Sequence, residues 1–206
     1  MKNHTKLVLI VDRSGSMSVM KTEAENAINN FIREQKQVPG EADLSLVLFD
    51  NEITKPISNL SLSLVSPEVV IQPRNSTALL DAIGHTINEV GRSLANMPEY
   101  DRPNKIVFVI MTDGEENSSR IFNSEQIRSM ITHQSSKYNW QFIFLGANQD
   151  ACLVAKSIGI INSSNFDANN VQHVYSAASC SVSTYRTTDD AKLVFEDQGL
   201  SSESKT

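Results

Sequence analysis

Cysteine is nearly absent: Cys152 and Cys180 are the only two in 206 residues. They are too few for a disulfide framework and lack metal-ligand spacing, so a stapled scaffold and a thiolate zinc site are both excluded. Glycine, at 8 residues, and proline, at 6, are also sparse, which excludes collagen-like and low-complexity chains. No apolar run approaches the ~20 residues of a membrane-spanning helix. The longest are Leu7–Val11 and Ile106–Met111, and Met1 to Lys6 lead into the first of them without a signal-peptide pattern, so the expected location is cytoplasmic. An excess of positive charge is missing too. Lys and Arg total 18 against 24 Asp and Glu, a net charge of -6. Nucleic acid and anionic membrane therefore gain no general attraction, and a cation is the easier partner.

What is present is an ordinary globular mixture, 40% hydrophobic and 20% charged, long enough for one full core with an appendage. Lys6-Leu7-Val8-Leu9-Ile10-Val11-Asp12 is a continuous apolar run ending in a polar residue, the pattern of a strand buried on both faces. Apolar residues at Met17, Met20, Ala24, Ala27, Ile28, Phe31 and Ile32 then keep helical spacing up to Pro39-Gly40. Leu44–Asp50 is a second strand, with a tight turn at Asn51-Glu52 leading to a third over Ile53–Ile57, which Pro56 confines to an edge. Residues 58–75 are turn-rich. Leu79, Leu80, Ile83, Ile87, Val90 and Leu94 form a second helical face that begins just after Ser76-Thr77. Ile106–Met111 is a buried strand closed by Thr112-Asp113-Gly114, and Ser124-Glu125 are expected to cap a helix with Ile127, Met130 and Ile131 inward. Trp140–Leu145 is a fifth strand, Ala151–Ile158 a helix, Ser164–Phe166 a short sixth strand, and Val171–Arg186 a closing helix. Alternating strands and helices predict an α/β domain over residues 1–186, built on a doubly wound, mostly parallel sheet. Residues 187–206 are polar and are expected to be a tail.

In such sheets the functional crevice lies at the carboxyl ends of the strands. The first strand delivers Asp12-Arg13-Ser14-Gly15-Ser16 there, the fourth Thr112-Asp113-Gly114, and the start of the second long helix Ser76-Thr77. Asp12, Ser14 and Ser16 alternate, so a gently turning loop points all three side chains the same way. Two carboxylates and three hydroxyls with no His or Cys suit a hard cation, Mg2+ or Mn2+, rather than zinc or copper. Asp12, Ser14, Ser16, Thr77 and Asp113 are the candidate metal ligands.

These five residues, each following a buried strand or opening a helix, resemble the metal-ion-dependent adhesion site (MIDAS) of the von Willebrand factor A (vWA) domain family, over roughly residues 5–185. The resemblance implies a Rossmann-like sheet of six strands with one antiparallel edge, direct contact of Ser14, Ser16 and Thr77 with the ion, and action of Asp12 and Asp113 largely through water. It also implies a non-catalytic module that binds an Asp or Glu carboxylate of a protein partner through the ion, beside an ATPase or within a multi-protein assembly. One departure stands out: the family often has glycines just before the Thr, where this chain has Arg74-Asn75-Ser76.

Arg74 at the rim is expected to be solvated, or to hold an acidic partner. Glu115 and Glu116, just past Asp113, are expected to form a solvated acidic loop, or to concentrate cations. His85 and His133 have no His or Cys at ligand spacing and are expected on helix surfaces, while His4 and His173 suggest no role. The alternative function is a metal-dependent hydrolase or phosphatase using Asp12 and Mg2+. Phosphotransferases of the haloacid dehalogenase type place a second Asp two residues on as acid/base; here that position is Ser14, which cannot take that role at neutral pH. Arg13-Ser14-Gly15-Ser16-Met17 is not a Gly-x-Ser-x-Gly elbow, and no Gly-rich phosphate loop is present.

Overall fold

The fold is taken from a computed structural model and described for residues 3–147, 151–189 and 192–195. Strand β1 (His4–Asp12) is buried from Thr5 to its end, because it has a parallel neighbour on each side: β2 (Glu41–Phe49) and β4 (Lys105–Thr112). Strand β3 (Ile53–Ser61) closes one edge antiparallel to β2. Strands β5 (Gln141–Gly146) and β6 (Asn162–Asn165) extend the other side in parallel. The order β3-β2-β1-β4-β5-β6 makes a six-stranded, mostly parallel sheet with one antiparallel strand, as expected.

The period of two in a strand sorts the β1 side chains to opposite faces. Leu7, Leu9 and Val11 join a cluster with α1 (Lys21–Gln37) and α5 (Val171–Thr187). Val8 and Ile10 join the other cluster, with α2 (Leu79–Ala95), α3 (Ser124–Tyr138) and α4 (Ala151–Ser157). Both clusters are needed to cover the sheet, which is why its central strands are continuous apolar runs rather than alternating ones. Truncating a side chain with no exposure, such as Ile10, to alanine costs about 2–5 kcal/mol through lost burial and a residual cavity.

Local details depart from the sequence pattern for identifiable reasons. Met17 and Met20 keep three-residue spacing, but Gly15–Val19 is a 3-10 turn and α1 begins only at Lys21; a spacing of three serves either helix type. Neither Ser76 nor Thr77 caps α2, whose cap position is Ala78, without a side-chain bond. The Leu80 N–H is taken instead by the Glu116 carboxylate at 2.9 Å. In α3 the cap is Asn123, one residue before Ser124, in a reciprocal box with Gln126. Strand β3 runs four residues past Ile57, to Ser61, with Asn59 at φ 49 and irregular register against β2. Within the segment read as a polar tail, Leu193 is buried and its N–H donates to Gln141 Oε1 at 3.0 Å.

Candidate metal centre

The chain steps from β1 to β2 on one side of the sheet and later to β4 on the other, so strand order reverses beside β1. The crevice at such a reversal, outside the carboxyl ends of the strands, is where open α/β sheets bind ligands. Asp12 ends β1 there, with no solvent exposure. Its Oδ1 accepts the Ser14 N–H at 2.6 Å and its Oδ2 accepts the Thr112 hydroxyl at 2.5 Å. Burial raises the Asp12 pKa; these hydrogen bonds oppose the rise and the nearby Asp50 charge adds to it.

The hydroxyls continue outward from this carboxylate. Ser14 Oγ lies 3.1 Å from Ser16 Oγ, and Ser16 donates to Asp113 Oδ1 at 2.8 Å. Asp113 follows β4 and is half-buried; its carboxyl is pushed up to about 6, by burial first, with the Asp12 charge adding and the Ser16 hydrogen bond opposing. Thr77, 2% exposed, arrives from the loop before α2, its N–H held by Asn117 Oδ1 at 3.0 Å. Gly114 shows how closely these groups converge. A Cβ there would stand 2.8 Å from Thr77 Oγ1 and 3.5 Å from both Ser14 Oγ and Ser16 Oγ. The structure therefore brings all five sequence-expected residues to one place, around a space that only a glycine leaves open.

The flanking residues behave differently from expectation. Arg74 is exposed, as expected of a rim residue, but not free: its Nε donates to Asp50 Oδ2 at 2.7 Å and its Nη2 to Glu52 Oε2 at 2.6 Å. Glu116 is not a loose acidic residue, since its carboxylate accepts the N–H groups of Ser118, Ser119 and Leu80 and the Ser119 hydroxyl. Glu115 is exposed, as expected. Asp81, at 9% exposure, accepts three backbone N–H groups, from Arg120, Ile121 and Phe122, and so fixes the far end of the loop after β4.

Sequence reasoning brought Thr112 and Gly114 to the crevice only as neighbours of Asp113, and missed Asn117, Asp50 and Asp81 as parts of the site. One signal was available: Asp50 follows a buried strand end, as Asp12 closes β1. The others depend on which loops meet in space.

The chemistry of the donor set fits a hard cation. Among the described residues no group of three or more His, Cys, Asp and Glu that would hold a metal is found. The cluster at β1 and β4 relies on two carboxylates and three hydroxyls, an all-oxygen set of the kind Mg2+ and Mn2+ prefer. Gathering a buried and a half-buried carboxylate, both with raised pKa values, is unfavourable in a metal-free protein, and a bound cation would offset it.

A three-layer domain with an oxygen-rich crevice at its switch point defines a broad class of α/β binding proteins. Within that class the von Willebrand factor type A domain model matches residues 6–183, and the chain belongs to that family. No curated protein matches the chain. Among solved structures it is similar to a von Willebrand factor type A protein from Catenulispora acidiphila, at 14% identity and TM-score 0.61, over 86% of this chain and 42% of that one. The ArnB paralog VWA2 from Sulfolobus acidocaldarius follows at 20% identity and TM-score 0.56, over 85% and 44%. Proximal thread matrix protein 1 from the mussel byssus, with a zinc-occupied MIDAS motif, gives 15% identity and TM-score 0.56, over 85% and 46%. These likenesses establish the fold, and this chain spans less than half the length of each of the three. Domains of the family are generally non-enzymatic interaction modules and commonly bind a divalent metal. No helix among the described residues is long and apolar enough to cross a membrane.

Proposed function

We propose that the chain is a non-catalytic protein-interaction module that binds an acidic residue of a partner through Mg2+ or Mn2+ held by Asp12, Ser14, Ser16, Thr77 and Asp113, a complete MIDAS. The observation that carries this reading is the convergence of Ser14, Ser16 and Thr77 hydroxyls on the space beside Gly114. When bound, the cation supplies an electrophilic point that a carboxylate from outside can complete. The chain's own part is to present that point. Neutral hydroxyls as the direct donors leave most of the ionic charge uncancelled, while Asp12 and Asp113 orient them by hydrogen bonds: Asp12 through the Ser14 N–H, Asp113 through the Ser16 hydroxyl.

The same geometry argues against the hydrolase alternative. Both Asp12 oxygens are committed, to Ser14 and Thr112, and the residue has no exposure. A carboxylate nucleophile needs an open approach, and the adjacent acid/base position is occupied by Ser14. Zinc is the ion named for the mussel neighbour's MIDAS; here the all-oxygen donor set favours the harder Mg2+ or Mn2+.

The test has two arms. Calorimetric titration should show Mg2+ or Mn2+ binding to the wild type that is lost in Asp12→Ala, and undiminished binding in that variant would reject the ligand set. Affinity capture from a cell lysate, in metal, in chelator and with a Thr77→Ala bait, should retain a partner only with wild type in metal. We propose a cytoplasmic partner assembly, in which an ATPase is one candidate; capture of the same proteins in all three arms would reject the metal-bridged mode. Turnover of a phosphoester panel that requires Mg2+ and disappears in Asp12→Asn would favour the enzyme instead.

A further inference from the structure

We infer that Asp50 is a positioning residue for the candidate metal centre, acting through Arg74 and Arg13 to lock the two hydroxyl-bearing loops together. The inference rests on reading the centre as a cation site. Asp50 directly follows β2, has no solvent exposure, and accepts the Glu52 N–H on Oδ1 at 2.6 Å. Its Oδ2 accepts Arg74 Nε at 2.7 Å and lies 3.2 Å from Arg13 Nε. The second contact is one of charge, since Arg13 Nε makes no aligned hydrogen bond there. Arg13 sits between Asp12 and Ser14, and Arg74 three residues before Thr77, so one buried carboxylate grips both ligand-bearing loops.

Backbone bonds show that the loops are stitched at the same place. Arg74 N–H donates to Arg13 O at 2.9 Å, Gly15 N–H to Asn75 O at 3.1 Å, and Ala78 N–H to Asp50 O at 2.9 Å. Asn75 turns the chain in the left-handed region, φ 60, where Asn is among the few non-glycine residues tolerated. The segment Arg74-Asn75-Ser76 thus does with a side-chain latch what a flexible glycine turn cannot, namely hold Thr77 in register with Ser14 and Ser16. Partners that orient metal ligands from outside the coordination shell typically contribute on the order of tenfold or more in metal affinity.

Charge gives this inference a decisive sign. Asp50 and Glu52 balance Arg13 and Arg74, so the latch is electrically neutral. Removing Arg74 leaves a net negative charge beside the centre, and electrostatics alone would tighten the binding of a divalent cation. Loss of positioning would weaken it.

The experiment is titration of Mn2+ into wild type, Arg74→Gln and Arg74→Lys at pH 7.5, followed by calorimetry and by the Mn2+ paramagnetic signal, with metal-free thermal unfolding of each. Arg74 is partly exposed, so the variants should fold. Positioning predicts weaker binding by Arg74→Gln, on the order of tenfold. Arg74→Lys, which keeps the charge but not the two-armed grip, should fall between. Equal or tighter binding by Arg74→Gln would overturn the positioning role while leaving the cation site standing. Wild type that fails to bind Mn2+ would overturn the cation reading and this inference with it.

Discussion

Gly114 and Thr77 are set so closely that a methyl group on the first would stand 2.8 Å from the hydroxyl oxygen of the second. Real Cβ atoms do not tolerate that distance, and Thr77, at 2% exposure, has little freedom to retreat. Gly114→Ala should therefore displace the Thr77 hydroxyl and crowd Ser14 and Ser16 while leaving both carboxylates in the sequence. The expected outcome is Mn2+ affinity reduced by about tenfold or more, as for other disturbances of ligand orientation. Circular dichroism should be unchanged, and equal Mn2+ binding in the two proteins would show that the Thr77 hydroxyl is not a ligand.

How much of this was legible beforehand differs between elements. The strand ends that carry Asp12 and Asp113 were readable because a strand buried on both faces announces itself as a run such as Leu7–Val11 or Ile106–Met111, and the residue closing the run is then at the crevice. The mostly parallel sheet followed from the alternation of elements, and its antiparallel edge from the tight turn at Asn51-Glu52 and from Pro56, in line with the family resemblance. The roles of Arg74 and Glu116 in loops, and of Asp81 in the first turn of α2, were not readable, because a charged side chain looks the same whether it is solvated or holds a backbone or ionic partner; only the meeting of segments far apart in sequence decides. Leu193 escaped for a related reason, since the short run Leu193-Val194-Phe195 inside a polar segment is too brief to show a period.

Acid should weaken the metal site. The Asp113 carboxyl is pushed up to about 6 from an ordinary 3.8, so below that pH the folded, metal-free protein holds a proton there that an unfolded chain has released. The folded state binds more protons between these two values, and its metal-free stability therefore falls as pH rises through the window. Metal binding runs the other way, because the cation must displace the proton. Apparent Mn2+ affinity should be nearly flat above pH 7 and fall by up to about tenfold per unit below 6. Calorimetry at pH 5, 6, 7 and 8 checks the profile, and Asp113→Asn should flatten it.

Arg186 is 1% exposed, and among the described residues it has no carboxylate in ion-pair contact. Its guanidinium instead donates to the backbone oxygen of Gln35 at 2.7 Å, to Gln35 Oε1 at 3.1 Å and to the Gly40 oxygen at 3.4 Å. Gln35 lies in the last turn of α1, whose unpaired carbonyls form the negative end of that helix. Burial lowers the Arg186 pKa to about 10, still charged at neutral pH. Arg186→Met keeps volume but leaves these acceptors unpaired, and should cost about 2–4 kcal/mol. Urea unfolding measures it, and the Mn2+ affinity of the folded variant should not change, since this end of the fold is opposite the metal centre.

The loop after β4 offers a sharper local test. Asp81 takes three backbone N–H groups on one carboxylate, from Arg120 at 2.8 Å, Ile121 at 3.0 Å and Phe122 at 2.9 Å, while Ser119 Oγ accepts its own N–H. Phe122 packs so tightly on α2 that a Cβ at Gly84 would stand 2.6 Å from its ring. Asp81→Ala would leave three donors to find water, a loss of about 1–3 kcal/mol per buried group that stays unpaired, relieved wherever the loop opens. The segment should open locally rather than unfold the sheet, because the hydrogen bonds of β4 and β5 do not depend on it. Hydrogen exchange should rise at residues 120–122 and stay low in β1 and β4. Asp81→Asn, which retains one acceptor oxygen, should show an intermediate rise. Glu116 holds the nearer half of the same loop through four donors, so exchange at Ser118 and Ser119 should respond to Glu116→Ala and not to Asp81→Ala. A single uniform increase across residues 115–122 in both variants would mean that the loop opens as one unit, and the two carboxylates would then be a shared anchor rather than separate ones.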